Sequence, residues 1–377
     1  MIIGITGFNG AGKSTIAKYL EEKGFLYLSM NTILSEECKK RGLSNDRDNL
    51  ITVANELREK LGPAALVKIA KESFEPNKDI VIESLRNPEE VKELKSYDKF
   101  YLIGVNADIN KRFERIKLRK RDLESMSFKK FVENERRELT NTTLNAQLLL
   151  DTYKLKDFEI VNDFDLNNLY ERVELILSII TSIKDPYDRF DKSYVSVYKF
   201  DKKVILRPFK DKYYLSIARE VAKRSTCLNV RYGAIIVKDD QIISTGYVGA
   251  PRDVLSSLDK GFCLRRQLNI PSGSNYEICR SVHAEQNAII NAARAGVSLL
   301  GSKMYFFGER YNSDGSLSLV TGYPCFICKK MIINAGIKNF ISITEKGEIA
   351  YYDVNEWKEN WRKKDMLEDN VKYSVKY

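Results

Sequence analysis

The stretch IIGITGFNGAGKST, residues 2–15, places an apolar run of strand type before a glycine-rich loop and the start of an amphipathic segment. Residues 7–14 fit the pattern GxxxxGK[ST], in which backbone N–H groups surround a phosphate at a helix N-terminus. In this pattern Lys13 reaches the β- and γ-phosphates, and Ser14 holds Mg²⁺. We therefore predict that ATP or GTP binds with Mg²⁺ at a phosphate-binding loop formed by Gly7, Asn9, Gly10, Ala11, Gly12, Lys13, Ser14 and Thr15.

The rest of the N-terminal half repeats this alternation of short apolar runs and amphipathic segments, which is typical of a parallel sheet. Strands are predicted at 2–6, 25–29, 79–83, 100–105 and 158–161. Helices are predicted at 13–22, 49–60, 63–73, 88–95, 109–120, 128–138 and 166–183. The predicted fold class of this half is therefore α/β, with the phosphate-binding loop between its first strand and its first helix.

The character of the sequence changes at residue 185. Residues 185–210 are polar and aromatic without a helical period, and we interpret them as a linker or docking segment. A second α/β unit follows, with helices at 212–226, 283–295 and 326–335 and strands at 233–238, 241–246, 303–307 and 339–343. Its loops 247–281 and 308–323 are long for connectors, so we expect them to frame a site. The predicted domains are 1–184 and 211–377.

Two short motifs in the second half contain rare residue types at a characteristic spacing. Residues 283–285 read HAE and residues 324–328 read PCFIC, the H-x-E and P-C-x-x-C pattern of zinc-dependent nucleobase deaminases. Cys325 and Cys328 begin a helix and can face one ion, and His283, the sole histidine, supplies a third ligand. One tetrahedral position then stays open for water, whose proton Glu285 can take and return. A structural zinc site, or a core histidine beside unrelated cysteines, is the alternative.

Composition limits the class of protein. With 43% hydrophobic and 30% charged residues, the chain is expected to be globular. It contains no run of about 18 apolar residues, and we expect no N-terminal signal peptide, so we expect a cytosolic protein without membrane contact. Clustered cysteines in that compartment indicate metal ligation rather than disulfides. For Cys263 and Cys279 both a second metal site and packing stay open, whereas Cys38 and Cys227 indicate packing.

The net charge of 62 − 52 = +10 is unevenly distributed. Residues 1–184 contribute 31 − 30 = +1, and residues 185–377 contribute 31 − 22 = +9. The second half is therefore expected to bind an anion, and both nucleotide phosphates and nucleic acid meet that description.

Residues 1–180 resemble the nucleoside-monophosphate-kinase group of P-loop proteins, especially its dephospho-CoA-kinase-like members. The stretches that carry the resemblance are GFNGAGKST, YLSMNTILSEECKKRGL, ESLRNPEEV and RFERIKLRKR. Those relatives usually have an acidic residue after the second strand, where this chain has residues 29–32 without a carboxylate, so nucleotide sensing competes with kinase activity. We expect Glu83 to hold Mg²⁺ through water and Arg86 to contact a second anion. Two roles stay open for a further group of arginines, a clamp on a transferred phosphoryl group or an ordinary solvated face: Arg112, Arg115, Arg119 and Arg121.

The stretch from 212 to about 343 resembles the deoxycytidylate (dCMP-type) deaminase family. The resemblance is carried by AKRSTCLNVRYGAIIVKDDQIISTGYVGAPR, by GFCLRRQLNIPSGSNYEICRSVHAEQNAIINAARAGVSL and by PCFICKKMIINAGI. It implies a three-layer α/β/α fold, a Zn²⁺ cofactor, a homo-oligomer and, in some members, allosteric response to dCTP and dTTP. Val248 replaces an asparagine that helps many relatives to hold the sugar and base. The candidate substrate-binding residues are Arg231, Tyr247, Val248, Arg252 and Ala284, with Arg224 and Arg265 or Arg266 as further phosphate contacts.

The two halves together resemble two-domain deaminases of bacterial anti-phage defence. This resemblance implies deamination of dCMP or dCTP, with the P-loop domain in a regulatory role. Three alternatives stay open: a bifunctional biosynthetic enzyme, a nucleic-acid-editing deaminase and a nucleotide-responsive scaffold without activity. The single strand bound by an editing enzyme often stacks on exposed aromatic residues, and loop 262–280 has Phe262 and Tyr276 alone, so stable nucleic-acid binding is not expected.

Overall fold

The computed structural model describes residues 1–118, 127–139, 148–271 and 274–363. The chain divides into two compact units, of which the first contains Met1–Ser182 and Lys192–Pro208. The second contains Ile183–Asp191 and Phe209–Tyr377, described to residue 363. None of the helices in the described ranges has the length and apolar character needed to span a bilayer.

The first unit is a seven-stranded sheet flanked by helices. Its strands are β1 (Ile2–Gly7), β2 (Leu26–Ser29), β3 (Ile80–Glu83), β4 (Phe100–Asn106), β5 (Phe158–Val161), β6 (Val195–Phe200) and β7 (Lys203–Pro208). Its helices are α1 (Lys13–Glu22), α2 (Met30–Lys40), α3 (Arg47–Leu61), α4 (Ala65–Lys71), α5 (Pro88–Leu94), α6 (Ile109–Leu118), α7 (Phe128–Leu139), α8 (Leu149–Lys154) and α9 (Leu166–Thr181). The sheet order is β2-β3-β1-β4-β5-β6-β7, parallel except for β7.

This sheet confirms the predicted α/β class, because β1 pairs in parallel with β3 and β4 on its two sides. All six residues of β1 are buried, as expected for a central strand covered on both faces. Helix α2 was not predicted. Its buried residues Met30, Leu34 and Cys38 recur every four positions, a spacing that indicates one helical face. The predicted helix 109–120 ends at Leu118 in the described residues, and Arg119 and Arg121 lie outside them.

Residues 185–210, interpreted above as a linker or docking segment, contain regular structure. A helix, α10 (Pro186–Lys192), is followed by β6 and β7, which form an antiparallel hairpin at one edge of the first sheet. Val195 and Val197 of β6 are buried and alternate with polar neighbours, so the period of this segment is two rather than helical. Within the second unit, Arg189 of α10 forms a buried ion pair of 3.0 Å with Glu348.

The second unit is a three-layer α/β/α sandwich, as predicted. Its strands are β8 (Val230–Lys238), β9 (Gln241–Tyr247), β10 (Lys303–Tyr311), β11 (Leu317–Leu319), β12 (Asn339–Ile343) and β13 (Ile349–Asp353). Its further helices are α11 (Lys210–Ala222), α12 (Ser257–Lys260), α13 (Leu264–Gln267), α14 (Ala284–Arg294), α15 (Phe326–Asn334) and α16 (Val354–Lys363). The sheet order is β13-β12-β10-β8-β9, and β11 pairs with β10.

The two faces of this sheet carry different helices. Ala234 and Phe306 belong to one buried cluster with Ala284 of α14 and Ile332 of α15. On the other face, a Cβ added at Gly233 would lie 2.2 Å from the carbonyl oxygen of Ala218 in α11. Residues on β8 and β10 therefore point to α14 or to α11 in alternation. Strand β10, predicted to end at 307, extends to Tyr311 and forms a hairpin with β11 inside the expected loop 308–323.

Candidate metal centre and phosphate-binding loop

Three side chains from two helix starts meet in the second unit. His283 immediately precedes α14, and Cys325 immediately precedes α15, which contains Cys328. The Nδ1 atom of His283 is 3.4 Å from the Sγ atoms of both cysteines. The candidate ligand atoms all lie within 4.8 Å of one another. We call these three residues the metal cluster.

The backbone before each helix holds the metal cluster in place. Val282 and Gly249 form an antiparallel bridge, with Val282 N donating to Gly249 O at 2.8 Å. His283 N donates to Gln286 Oε1 at 3.0 Å, which closes the first turn of α14. The backbone N–H of Cys328 donates to Cys325 Sγ at 3.5 Å, so the cysteine side chain caps its own helix.

Burial and hydrogen bonds determine the charge states at this centre. Hydrogen bonds from Cys328 and His283 lower the pKa of the Cys325 thiol, which favours its thiolate form. A helix N-terminus also favours a thiolate. Glu285 is 4% exposed, and burial raises the pKa of its carboxyl group.

The metal cluster fits a tetrahedral zinc ion. One imidazole nitrogen and two sulfurs are preferred Zn²⁺ donors, and ordinary bond lengths predict N···S separations of about 3.6 Å. The observed value is 3.4 Å for both pairs. Among the described residues the cluster has three ligands, so a fourth position is left for a small molecule. Structural zinc sites are usually closed by four protein ligands, which favours a reactive site here.

One aromatic ring packs against the metal cluster. The ring of Tyr276, in the long loop before α14, meets the His283 ring edge to face at 4.9 Å between centroids. Burial raises the pKa of Tyr276 to about 12, so its hydroxyl stays protonated. Arg265 lies over the Tyr276 ring at 5.0 Å, and its Nη2 donates to the carbonyl oxygens of Pro271 and Ser274, both at 2.7 Å. Arg265 is therefore used to hold the loop.

Three of the five predicted substrate-binding residues lie beside the start of α14. Ala284 is its first residue and is fully buried. The carbonyl oxygen of Tyr247 accepts a hydrogen bond of 2.8 Å from Asn287 Nδ2. Val248 is buried, and its N–H donates to the carbonyl oxygen of Tyr232. The roles of these three residues stay predictions.

The structure does not bring the other two to the metal cluster. Arg231 donates to the Tyr311 hydroxyl at 2.6 Å and stacks over that ring, on the α11 face of the sheet. Arg252 donates to Asn291 Oδ1 at 2.9 Å, two turns along α14 from His283. Successive side chains of a strand point to opposite faces of the sheet, so the face on which Arg231 lies depends on the strand register. The sequence analysis left that register open.

The other cysteines have separate contacts. Asn229 donates through its backbone N–H to Cys227 Sγ and through Nδ2 to Cys263 Sγ, at 3.4 and 3.6 Å. Burial raises the pKa of Cys227, and the nearby Cys279 and Cys263 add to that rise. Their sulfurs do not form a ligand-distance cluster within the described ranges.

The phosphate-binding loop has the backbone that its glycines require. Gly7 has φ +136°, and an added Cβ would lie 2.0 Å from the carbonyl oxygen of Val105. Gly12 has φ +105° and caps α1, so the first N–H groups of the helix face the loop. Lys13 Nζ donates to the carbonyl oxygen of Phe8 at 2.9 Å, across the interior of the loop.

A buried carboxylate lies beside the predicted Mg²⁺ residue. Ser14 Oγ donates to Glu83 Oε1 at 2.6 Å, and the hydroxyl of Tyr27 donates to Glu83 Oε2. Glu83 ends β3, next to β1. The structure thus brings together Ser14 and the carboxylate expected to hold Mg²⁺. Tyr27 was not anticipated.

Two arginines of α6 support the backbone of the phosphate-binding loop. Arg112 forms a buried ion pair with Glu135 and donates to the carbonyl oxygens of Ala107 and Asn9. Arg115 donates to the carbonyl oxygen of Asn162, whose Nδ2 donates to Ala11 O at 2.8 Å. The backbone N–H of Arg86 donates to Glu90. Arg112 and Arg115 are thus bonded within the protein and do not form a solvated face.

Comparison with known proteins assigns both halves. Residues 208–344 match the family described as the cytidine and deoxycytidylate deaminase zinc-binding region, and residues 3–141 match an AAA domain family. These matches confirm the two resemblances found in the sequence, a P-loop domain followed by a deaminase domain.

Individual relatives cover one part of the chain each. A UPF0200 protein of Thermococcus onnurineus is 33% identical over 187 residues, which cover 48% of this chain and 98% of that protein. Another from Aeropyrum pernix is 34% identical over 171 residues, covering 45% and 88%. The dCMP deaminase of cyanophage S-TIM5 in complex with dCMP and dUMP is 26% identical, covers 35% of this chain and 79% of its own, and has a TM-score of 0.26. Shikimate kinase from Bacteroides thetaiotaomicron is 14% identical and covers 48% and 98%, with a TM-score of 0.32.

Proposed function

This chain belongs to the UPF0200 protein family and carries a cytidine and deoxycytidylate deaminase zinc-binding region, and we propose that it deaminates a cytosine deoxynucleotide, dCMP or dCTP. The products are the uracil deoxynucleotide and ammonia. The observation that carries the proposal is the metal cluster, His283 with Cys325 and Cys328, next to the buried carboxyl group of Glu285.

Different residues of the chain have different roles in this hydrolysis. His283, Cys325 and Cys328 would hold Zn²⁺, which when bound supplies Lewis acidity that activates water for attack at C4 of cytosine. Glu285 takes a proton from the attacking water and delivers it to ring nitrogen N3. It then carries the second proton to the departing amino group, so water and the cytosine ring yield uracil and ammonia. The buried Ala284 and Val248 exclude bulk water beside the base.

For the first unit we propose binding of ATP or GTP with Mg²⁺ and regulation of the deaminase. Lys13, Ser14 and Glu83 support nucleotide and Mg²⁺ binding. One observation favours regulation over phosphoryl transfer. The Ser29 side chain accepts a hydrogen bond from Thr32 N as the cap of α2, and residues 29–32 contain no carboxylate to orient an acceptor. A bifunctional kinase and deaminase would instead transfer phosphate from ATP to a nucleotide.

Ammonia release by the zinc-loaded protein tests the main proposal. The substrates are dCMP, dCTP, CMP, CTP and a short cytosine-containing DNA strand, each with and without ATP or GTP and Mg²⁺. Release from a free deoxynucleotide supports the proposal, and release from the strand alone would identify an editing enzyme instead. Silence with every substrate would contradict deamination and favour the scaffold alternative.

Lys13→Ala tests the regulatory role. We expect this variant to keep its zinc and to lose the response of ammonia release to ATP or GTP, because a phosphate contact is gone. An exposed lysine of the same unit provides the control, and Lys40→Ala should respond as wild type. Equal deamination by wild type and Lys13→Ala at every nucleotide concentration would contradict regulation.

We also propose a cellular role in depleting cytosine deoxynucleotides during phage infection, by a cytosolic homo-oligomer. The support is the pairing of a nucleotide-binding unit with a deaminase in one chain. Cells expressing the wild-type chain should lose dCMP and dCTP after infection, whereas cells expressing Glu285→Gln should not. Unchanged nucleotide pools in both would contradict this role, and size-exclusion chromatography with light scattering measures the oligomer.

A further inference from the structure

A lysine lies in the interior of the second unit, directly after a residue of the metal cluster. Lys329 follows Cys328 on α15, and 1% of its surface is exposed. Its ammonium nitrogen lies over three aromatic rings, at centroid distances of 4.2 Å for Tyr323, 5.4 Å for Trp357 and 5.6 Å for Phe326. Aromatic faces attract cations, so these rings offset part of the cost of removing the charge from water. We call the three rings the aromatic cage.

Lys329 makes hydrogen bonds on both sides of the predicted ligand Cys325. Its backbone N–H donates to the carbonyl oxygen of Cys325 at 2.8 Å, in the first turn of α15. Its Nζ atom donates to the hydroxyl of Tyr323 at 2.6 Å, two residues before Cys325. Pro324 lies between them, and its ring fixes φ, so the position of Tyr323 restricts how the chain enters Cys325. Lys329 therefore closes a loop of chain, residues 323–329, that contains both cysteines of the metal cluster.

The backbone just before this loop is fixed to the sheet. Gly322 N donates to the carbonyl oxygen of Ile343 at 2.9 Å, and Ser342 Oγ donates to the carbonyl oxygen of Gly322 at 2.7 Å. A Cβ added at Gly322 would lie 2.7 Å from side-chain atoms of Phe306 and Ser342, so the backbone packs directly on β10 and β12. Tyr323 is the next residue, and its contacts therefore decide how the chain leaves the sheet toward α15.

The ring of Tyr323 is held by β13 and α16 as well as by Lys329. Its centroid lies 5.2 Å from that of Tyr352 in β13 and 6.1 Å from that of Trp357 in α16. Trp357 is buried and belongs to the same buried cluster as Ala284, the first residue of α14. The aromatic cage thus connects the start of α15 to the helix that follows His283.

A charged side chain is a costly way to fill this space. A methionine of similar length would pack against the same rings without the cost of burying an ammonium group. What the lysine adds is a directed hydrogen bond from Nζ to the Tyr323 hydroxyl. The buried charge is therefore better explained by the bond that it makes than by the volume that it occupies.

We propose that Lys329 is a positioning residue for the metal cluster, which by holding Tyr323 keeps the Sγ atom of Cys325 beside His283. This inference rests on zinc binding at the metal cluster, which the proposed deamination also needs. Residues around zinc ligands set the orientation of those ligands and, with it, the affinity for the metal. Loss of the bond between Lys329 and Tyr323 should therefore weaken zinc binding about 10–100-fold.

Competition for zinc between the protein and a chelating dye tests this role. Lys329→Met keeps the apolar stem without the bond to Tyr323, and its zinc dissociation constant should rise about 10–100-fold. Tyr323→Phe removes the same bond from the other side and should have a similar effect, so the double variant should add little. Lys212→Met is the matched control, because Lys212 is a buried lysine of α11 whose Nζ donates to the carbonyl oxygen of Asp191 at 2.7 Å. It should bind zinc as wild type does.

Cobalt(II) in place of zinc gives a second readout, because its visible absorption depends on the geometry of its ligands. The bands that arise from cobalt–thiolate bonds should change in Lys329→Met and in Tyr323→Phe. They should stay as in wild type in Lys212→Met, whatever that variant loses in stability. If Lys329→Met does not fold, Tyr323→Phe decides the question, since it removes a single oxygen atom.

Two results would overturn the role of Lys329. The first is wild-type zinc affinity with a wild-type cobalt spectrum in both Lys329→Met and Tyr323→Phe. The second is an equal loss of zinc affinity in Lys329→Met and Lys212→Met, which would mean that any buried lysine acts through stability alone. A wild-type chain that binds no zinc would contradict the metal cluster and this inference together. Zinc bound equally by all variants would contradict the inference and leave the proposed deamination standing.

Discussion

The phosphate-binding loop and the metal cluster are built in opposite ways. The loop is one run of chain, residues 7–15, and its geometry resides in glycine backbone conformations such as φ +105° at Gly12. The metal cluster joins side chains 42 and 45 residues apart in sequence, and its geometry resides in the packing of α14 and α15 on one sheet. A contiguous site therefore depends on backbone shape, and an assembled site depends on individual side chains.

Both sites nevertheless use the same electrostatic device. The phosphate-binding loop ends at the N-terminus of α1, and the metal cluster lies at the N-termini of α14 and α15. The positive end of a helix stabilises phosphate at the first site and thiolate at the second. The difference between them thus lies in what positions the helix ends, and substitutions can separate the two kinds of dependence.

The largest effect is expected from Cys328→Ser. Cys328 is fully buried, and its replacement removes one of two thiolates from the metal cluster. We expect zinc bound per chain to fall far below one, and ammonia release to fall with it, because a hydroxyl is a poor zinc ligand at neutral pH. Metal analysis after dialysis measures this. Cys38→Ser, at a buried cysteine of the first unit, should keep its zinc. Full zinc content in Cys328→Ser would contradict the ligand assignment.

The next effect is a loss of turnover without loss of metal. Glu285→Gln keeps the size of the buried side chain but removes the proton carrier, and we expect kcat to fall by about 10²–10⁴-fold with zinc retained. Metal content and ammonia release are measured on the same sample. Glu345→Gln, at an exposed glutamate of the second unit, should behave as wild type. Comparable activity of the two variants would show that another group moves the proton.

The sequence predicted both sites because their residue types have few other uses. Residues 7–15 specify a loop by local pattern, and the sole histidine in an H-x-E motif leaves one place for a His/Cys/Cys site. Parallel strands and buried helices followed from apolar periodicity. These signals are local, or they depend on chemistry that excludes most alternatives.

The arginines could not be placed in the same way. Arg231 and Arg310 lie on opposite sheet faces, and a shift of one residue would exchange the faces. Strand β10 was predicted to end at 307, so Arg310 lay in a predicted loop and no sheet face could be assigned to it. Likewise Val195 and Val197 belong to a sheet edge whose partner, β5, lies more than 30 residues earlier in the chain. Register and partner choice are set by tertiary packing, which periodicity does not encode.

A glycine substitution tests whether the phosphate-binding loop depends on its backbone conformation. Gly12→Ala would place a Cβ 2.4 Å from Asn162 Nδ2 at φ +105°, so the loop must shift, and we expect affinity for Mg²⁺-ATP to fall at least 10-fold. Gly24→Ala is the matched control, since Gly24 has φ +93° and open space around it. It should cost about 1–2 kcal/mol of unfolding free energy and leave affinity unchanged. Calorimetric titration and denaturant unfolding measure both quantities, and equal affinities in the two variants would contradict a backbone-defined site.

The smallest effect is expected where a side chain supports the phosphate-binding loop indirectly, through another residue. Tyr27 donates to Glu83 Oε2 while Ser14 donates to Oε1, so Tyr27→Phe leaves one carboxylate oxygen without this partner. The unfolding free energy should fall by about 2 kcal/mol, the usual cost of a lost hydrogen bond to a charged group. Affinity for Mg²⁺-ATP should change less than 10-fold, because Ser14, Lys13 and the backbone of the loop remain. Tyr170→Phe, whose ring stacks on Tyr19, is the control for removing a hydroxyl in the same unit. A loss of affinity in Tyr27→Phe as large as in Gly12→Ala would mean that this site, like the metal cluster, depends on individual side chains.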